Sequence, residues 1–185
     1  MKKIILFMLA LVTVSVLPAA DRTNSTGKIL VVYFTRTENT RYVAEHIQSL
    51  LGGDMAEITA VSAYPEAYSA ALERARQERD RNARPAIRVW VPDISSYDYI
   101  LLGYPIWMGG IPMPVASFLE TFDFSGKTIV PFCTSGSTGI SQSIAEITKL
   151  VPGARVTNGF RVPTNGARNS RNDAEAWLRD LGILQ

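Results

Sequence analysis

Short apolar runs alternate with helix-patterned segments along almost the whole chain, and this alternation restricts the fold more than any other feature. Strand-like runs occupy Ile29 to Phe34, Met55 to Thr59, Tyr97 to Gly103, Thr128 to Cys133 and, more weakly, Arg155 to Phe160. Between them lie helical patterns at Asn39 to Leu51, Glu66 to Arg81, Pro112 to Phe122 and Ser141 to Leu150, and a closing one spans Asp173 to Leu181. In the first helix Val43, Ile47, Leu50 and Leu51 share one face, and Gly52-Gly53 ends it. Strands of this kind, apolar on both faces, belong to a parallel sheet covered by helices on each side, so the expectation is a doubly wound three-layer α/β/α sandwich around five parallel strands. Pro163 to Asn172 reads as a surface loop.

The 185 residues suffice for one well-packed domain. Residues 1–20 differ in kind. Met1-Lys2-Lys3 precedes an uncharged run from Ile4 to Leu17 and then Pro18-Ala19-Ala20, the pattern of a signal peptide cleaved after Ala19 or Ala20. Fourteen helical residues reach only about 21 Å, short of a ~30 Å hydrocarbon core, which disfavours the alternative of an uncleaved membrane tether. The expected organisation is therefore a leader at 1–20, a linker at 21–27 and a domain at 28–185, exported to the periplasm. Without the two leader lysines, the 19 basic residues fall to 17 against 17 acidic ones, a balance that argues against a nucleic-acid partner. The arginines between Arg74 and Arg88 are interleaved with Glu73, Glu78 and Asp80, as on a salt-bridged, solvated helix face. Cys133 has no partner for an internal disulfide and reads as a small buried hydrophobe, and no cluster of His, Cys and carboxylates has metal-ligand spacing.

Ligands of open parallel sheets bind beyond the carboxyl ends of the strands, so the loops there should share chemistry. After the first strand comes Thr35-Arg36-Thr37-Glu38-Asn39-Thr40, rich in hydroxyl and amide donors and opening a helix whose first N–H groups lack intrahelical partners. It has neither the Gly-Lys-Ser/Thr ending of a nucleotide triphosphate loop nor spaced glycines, and suits a single terminal phosphate. After the third comes Gly103-Tyr-Pro105-Ile106-Trp107-Met108-Gly109-Gly110, with an aromatic ring in a turn. After the fourth comes Cys133-Thr134-Ser135-Gly136-Ser-Thr-Gly139, able to bring backbone N–H groups to a polar ring edge.

With these three loops the chain resembles the flavodoxin-like family of FMN-binding proteins, from about Lys28 to Gly182. The first loop is similar to the family's Ser/Thr-x-Thr-Gly-x-Thr phosphate loop, the second to its Tyr-Pro-Ile-Trp segment, and the third to its Thr-Ser-Gly-Gly-x-Gly. The resemblance implies strand order 2-1-3-4-5, FMN as cofactor and a phosphate site at Thr35 to Thr40. It also implies Trp107 against the isoalloxazine with the Met108-Gly109-Gly110 peptides near its N5, and Thr134, Ser135, Gly136 and Gly139 at the pyrimidine edge. Glu38 departs from the pattern, standing at the family's glycine. Turned outward, with Arg36 and Arg41 offsetting its charge, it lowers affinity; turned inward, it sets a carboxylate beside a dianionic phosphate and opposes binding.

The function implied is an oxidoreductase passing electrons between a reduced donor and a quinone, a nicotinamide or a redox protein. The flavin would carry the chemistry, with no protein side chain as catalyst. The third loop has no aromatic to cover the second ring face, and the charge is near neutral, which favours small substrates over a carrier role. A second reading, a flavodoxin-fold scaffold without a working cofactor, draws on Glu38 and on export of an unfolded chain. His46, the only histidine, reads as a surface or core-edge residue.

Overall fold

The computed structural model describes residues 27–185; the leader at 1–20 and all but the last residue of the linker lie outside the described residues. At the centre of the sheet, β1 (Ile29–Phe34) is buried along its whole length. It pairs in parallel with β2 (Asp54–Ala60) on one side and with β4 (Tyr99–Pro105) on the other. Beyond β4 lies β5 (Thr128–Ser135), again parallel. Alternate side chains of β1 enter opposite cores: Leu30, Val32 and Phe34 one, Ile29, Val31 and Tyr33 the other. Helix α1 (Asn39–Leu51) and helix α5 (Arg171–Asp180) cover the Val31 face through Val43, Ala44, Ile47, Ala174 and Leu178. On the Val32 face lie α3 (Met113–Thr121), through Val115, Phe118 and Leu119, and α4 (Ser141–Leu150), through Ile147. Each of the larger of these side chains (valine, leucine, isoleucine and phenylalanine), removed from water, contributes about 1.5–3 kcal/mol, and each alanine methyl about 0.8 kcal/mol.

The five parallel positions run in the expected order 2-1-3-4-5, with two elaborations. A two-residue strand β3 (Ile87–Arg88) adds antiparallel to β2 at the edge. The fifth position is split into β6 (Arg155–Val156) and β7 (Phe160–Pro163), both parallel to β5. The register explains the split: Thr128 faces Arg155 but Phe132 faces Phe160, so one extra residue bulges out between them. Ile129 O accepts the Thr157 N–H at 3.0 Å, which puts residues of its parity, including Pro131, toward this edge. Pro131 has no N–H to offer there, and the neighbouring strand breaks opposite it.

Several elements fall where the sequence places them, among them α1, α4 and the Pro112-capped start of α3 with Pro114 in its first turn. Gly52 (φ 70°) and Gly53 (φ 85°) turn the chain out of α1, and a Cβ on Gly53 would lie 2.5 Å from Ile29 O. The segment read as a surface loop at Pro163 to Asn172 is instead ordered: β7 runs to Pro163, a 3-10 helix spans Thr164–Asn169, and Ala167 and Ser170 are buried. The arginine-rich stretch also differs from a purely solvated face. Helix α2 (Tyr68–Asp80) carries the local pairs Arg74–Glu78 (2.8 Å) and Arg76–Glu73 (4.0 Å). Arg79, however, reaches Glu146 on α4, and Arg84 reaches Glu120 on α3 at 2.6 Å. Among the described residues no helix is long and apolar enough to cross a membrane.

Candidate functional site

From β1 the chain passes through α1 to β2 on one side, then crosses back through α2 to β4 on the other. Strand order therefore reverses between β1 and β4, and the loops after β1, β4 and β5 meet at the carboxyl ends of these strands. Thr134 ties the three together. Its buried hydroxyl bonds that of Thr40 at 3.0 Å, and its carbonyl accepts the Ile106 N–H at 2.9 Å. The Thr40 hydroxyl, expected to face a phosphate, is thus engaged in holding two loops together.

In the first loop, the earliest amide bond of α1 runs from Tyr42 N–H to Glu38 O (3.1 Å). The amides of Asn39, Thr40 and Arg41 have no partner among the described residues, and no side chain caps the helix. An uncapped helix end of this kind carries partial positive charge and suits an anion. Thr37 is exposed, and its hydroxyl accepts from Asn39 Nδ2 at 3.2 Å. Glu38 sits at φ 64°, the left-handed conformation that favours glycine. Its carboxylate pairs with Arg41 Nη1 at 2.8 Å, and its side chain is about half exposed (47%). Arg36, expected beside Arg41 as a second offsetting charge, turns away, donating to Glu66 O at 2.8 Å. Its Nε is buried without a partner, and it lines a cavity of about 110 Å³ with Tyr68, Leu72, Ala75, Trp107 and Met108.

The second loop is a tight reversal. Trp107 and Gly110 exchange both backbone hydrogen bonds at 3.0 Å, with Met108 (φ 45°) and Gly109 (φ 82°) at its tip. Both tip residues have positive φ, as a two-residue type I′ turn requires, so glycine is demanded at Gly109 and methionine is held against its preference. Gly110 is needed for another reason: a Cβ there would lie 2.3 Å from a Glu146 carboxylate oxygen and 2.4 Å from the Arg79 guanidinium. These two side chains, from α4 and α2, grip the loop. Glu146 accepts from the Ile111 N–H at 3.0 Å and from Arg79, while Arg79 donates to Ile111 O at 3.3 Å. Trp107 is half-buried and stands edge-on to Phe34 (5.4 Å) and Tyr64 (4.9 Å), closing an aromatic cluster. Tyr64 is fixed in turn by Glu78 and lies under Arg74 at 4.1 Å, and burial pushes its phenol pKa far up.

The third loop is exposed from Gly136 to Gly139, and a Cβ on either glycine would meet nothing. Ser135 is buried, its hydroxyl donating to Thr138 O at 2.5 Å. Behind the loop, Tyr104 is fully buried against the Ser143 hydroxyl at 3.0 Å, and burial raises its phenol pKa. Cys133 is buried, and desolvation pushes its thiol up to about 12, which suits the inert role expected of it. His46 is half-buried on α1, Nε2 lying 3.0 Å from Arg168 O. A groove of about 930 Å³ along β3 and α3 shares no residue with these loops.

Unpartnered amides on α1, a donor-rich glycine loop and an aromatic in a tight turn fit a planar ring joined to a terminal phosphate. Sequence reasoning named all three loops but missed what holds the second: Arg79, Glu146 and Tyr64 lie in unrelated segments, and no local pattern marks them.

Residues 28–181 match the sequence model of the family described as flavodoxin, and the chain belongs to that family. It is similar to a candidate flavoprotein of Bacteroides eggerthii DSM 20697, with 32% identity and a TM-score of 0.74 over 84% of this chain and 98% of that one. A candidate flavoprotein of Bacteroides uniformis ATCC 8492 is likewise 32% identical, with a TM-score of 0.75 over 83% and 98%. A flavoprotein from Lactobacillus acidophilus NCFM, solved in complex with FMN, shares the fold at 21% identity and a TM-score of 0.66 over 79% and 99%. Among curated proteins none matches the chain.

Proposed function

We propose that the chain is an FMN-dependent oxidoreductase that carries its cofactor across the three strand-end loops. The observation that supports this best is the pairing of two sets of unpartnered donors at one end of the sheet: the α1 amides of Asn39, Thr40 and Arg41, and the exposed backbone of Gly136 to Gly139. The first would receive the phosphate, with Thr35, Thr37 and Asn39 beside it, and the second the pyrimidine edge. Bound FMN supplies one- and two-electron redox chemistry. Trp107 and Met108 would limit water on one ring face, and the Trp107 to Gly110 turn would aim its peptides at the central ring nitrogen. Family membership and the three motifs together make FMN the cofactor of this reading.

Small side chains in the third loop leave the opposite face open to a small electron partner, a quinone or a nicotinamide, in preference to a docked redox protein. The leader pattern assigns this work to the periplasm. A non-redox scaffold is the reading that Glu38 would favour, but its carboxylate turns to Arg41 at 2.8 Å, so the phosphate loop keeps its donors.

The test is a visible absorption spectrum of the domain from Asp21 after incubation with FMN and removal of excess. Retained, perturbed flavin bands that Trp107→Ala weakens or loses are expected, and bleaching by NADH or NADPH would mark a reductase. A protein that retains no flavin overturns the redox reading and leaves the scaffold.

A further inference from the structure

Arg161 of β7 has no part in the motifs, yet it is bonded throughout to the third loop. Its Nε donates to Ser135 Oγ (3.0 Å) and to Thr138 O (3.1 Å), and its Nη2 donates to Gly136 O (3.0 Å). A trans peptide is planar, with C=O and the following N–H on opposite edges. Drawing the Gly136 and Thr138 carbonyls to the guanidinium therefore turns the amides of Ser137 and Gly139 the other way. Neither amide has a partner among the described residues. The loop thus has a polarity: carbonyls gathered on one permanent cation, donors left free on the other side. Arginine suits the task because its planar fork reaches several acceptors at once and stays charged at every working pH.

We propose that Arg161 is the residue that positions the third loop for the flavin and sets its reduction potential. The assignment rests on FMN occupying the three-loop site. Oriented by Arg161, the Ser137 and Gly139 amides donate to the pyrimidine edge, and the guanidinium charge lies behind them. Two-electron reduction with uptake of one proton leaves one negative charge on that half of the ring, and a nearby fixed positive charge favours the reduced form. Arg161 touches neither substrate nor reacting atoms; it acts through the loop.

The experiment titrates FMN into wild type, Arg161→Gln and Arg161→Lys, and measures the flavin midpoint potential of each by equilibration with reference dyes. Thermal melts report folding. Arg161→Gln is expected to weaken binding of reduced flavin about tenfold more than that of oxidised flavin, which is a potential about 30 mV more negative for a two-electron couple. Arg161→Lys keeps the charge and loses the fork, so its potential should stay close to wild type while oxidised FMN binds several-fold more weakly. Equal potentials in Arg161→Gln and wild type, or equal shifts in the two variants, overturn the role of the charge. Should Arg161→Gln not fold, Arg161→Lys still decides the positioning role, which falls if its FMN affinity equals that of wild type. A wild type that binds no flavin is a separate result, refuting the cofactor reading and this assignment with it.

Discussion

Replacing Glu38 by glycine and, separately, by glutamine resolves what its charge does from what its backbone does. Both variants remove the carboxylate and its 2.8 Å pair with Arg41, whose side chains are 47% and 35% exposed, so the lost pair is worth at most about 1 kcal/mol. Only glycine relieves the left-handed conformation at φ 64°, which costs an ordinary residue about 1–2 kcal/mol. The wider freedom of glycine in the unfolded chain returns roughly 0.4–1 kcal/mol of that. At the middle of these ranges Glu38→Gly should therefore exceed Glu38→Gln in stability by about 0.8 kcal/mol, a Tm difference of roughly 2–3 °C for a chain this size. On the ligand side, a solvated carboxylate in the loop that receives a dianionic phosphate opposes binding by about 1 kcal/mol. Both variants should then bind FMN about fivefold more tightly at low salt. At 0.15 M salt, where the screening length is about 8 Å, that gain should shrink. Isothermal titration with FMN at two ionic strengths and a thermal melt read all three quantities. An affinity that is unchanged or falls in both variants at low salt refutes the electrostatic reasoning, and equal melting temperatures refute the argument from strain.

The remaining predictions concern the supports of the site and the buried core. Glu146→Gln leaves Arg79 with an uncompensated charge and weakens the acceptor of the Ile111 N–H, so stability should fall by about 1–3 kcal/mol and FMN affinity with it; a thermal melt and a titration check both. Stability should also decline above pH 9. Burial raises the Cys133 thiol from 9.0 to about 12, so between these values the folded state holds a proton that the unfolded chain releases, and each unit of rising pH costs up to about 1.4 kcal/mol. Tyr97, pushed up to about 12 by burial and its hydrogen bond to Asp54, adds in the same direction; urea unfolding at pH 8, 9.5 and 10.5 measures the slope, and a flat profile would contradict it. At pH 8 the same thiol should resist iodoacetamide until the protein is unfolded.

The amino-acid sequence by itself determined the alternating α/β architecture, the order of its main elements and the three loops that converge at one end of the sheet. Those features are local: apolar periodicity, proline at a helix start and glycine at a helix end act over a few residues, and Asn39–Leu51 and Ser141–Leu150 form as helices where that pattern stands. Tertiary structure alone decided the rest, because it depends on groups distant in the chain. Pro131 breaks a neighbouring strand some 25 residues away through an N–H it lacks. The two-residue β3 has no periodicity to read and exists only because β2 offers it an edge. The hydroxyls of Thr40 and Thr134, 94 residues apart, spend on each other a capacity that the loop motif suggests for a ligand. Glu38 can be seen in the sequence to break a glycine pattern, but whether its carboxylate faced the phosphate or Arg41 was settled by how β1 delivers the chain into α1. Arg79, Glu146 and Arg161 carry no signature at all: a charged side chain becomes a support only where folding brings unpaired backbone groups within its reach, and there the need to satisfy buried donors and acceptors fixes its place.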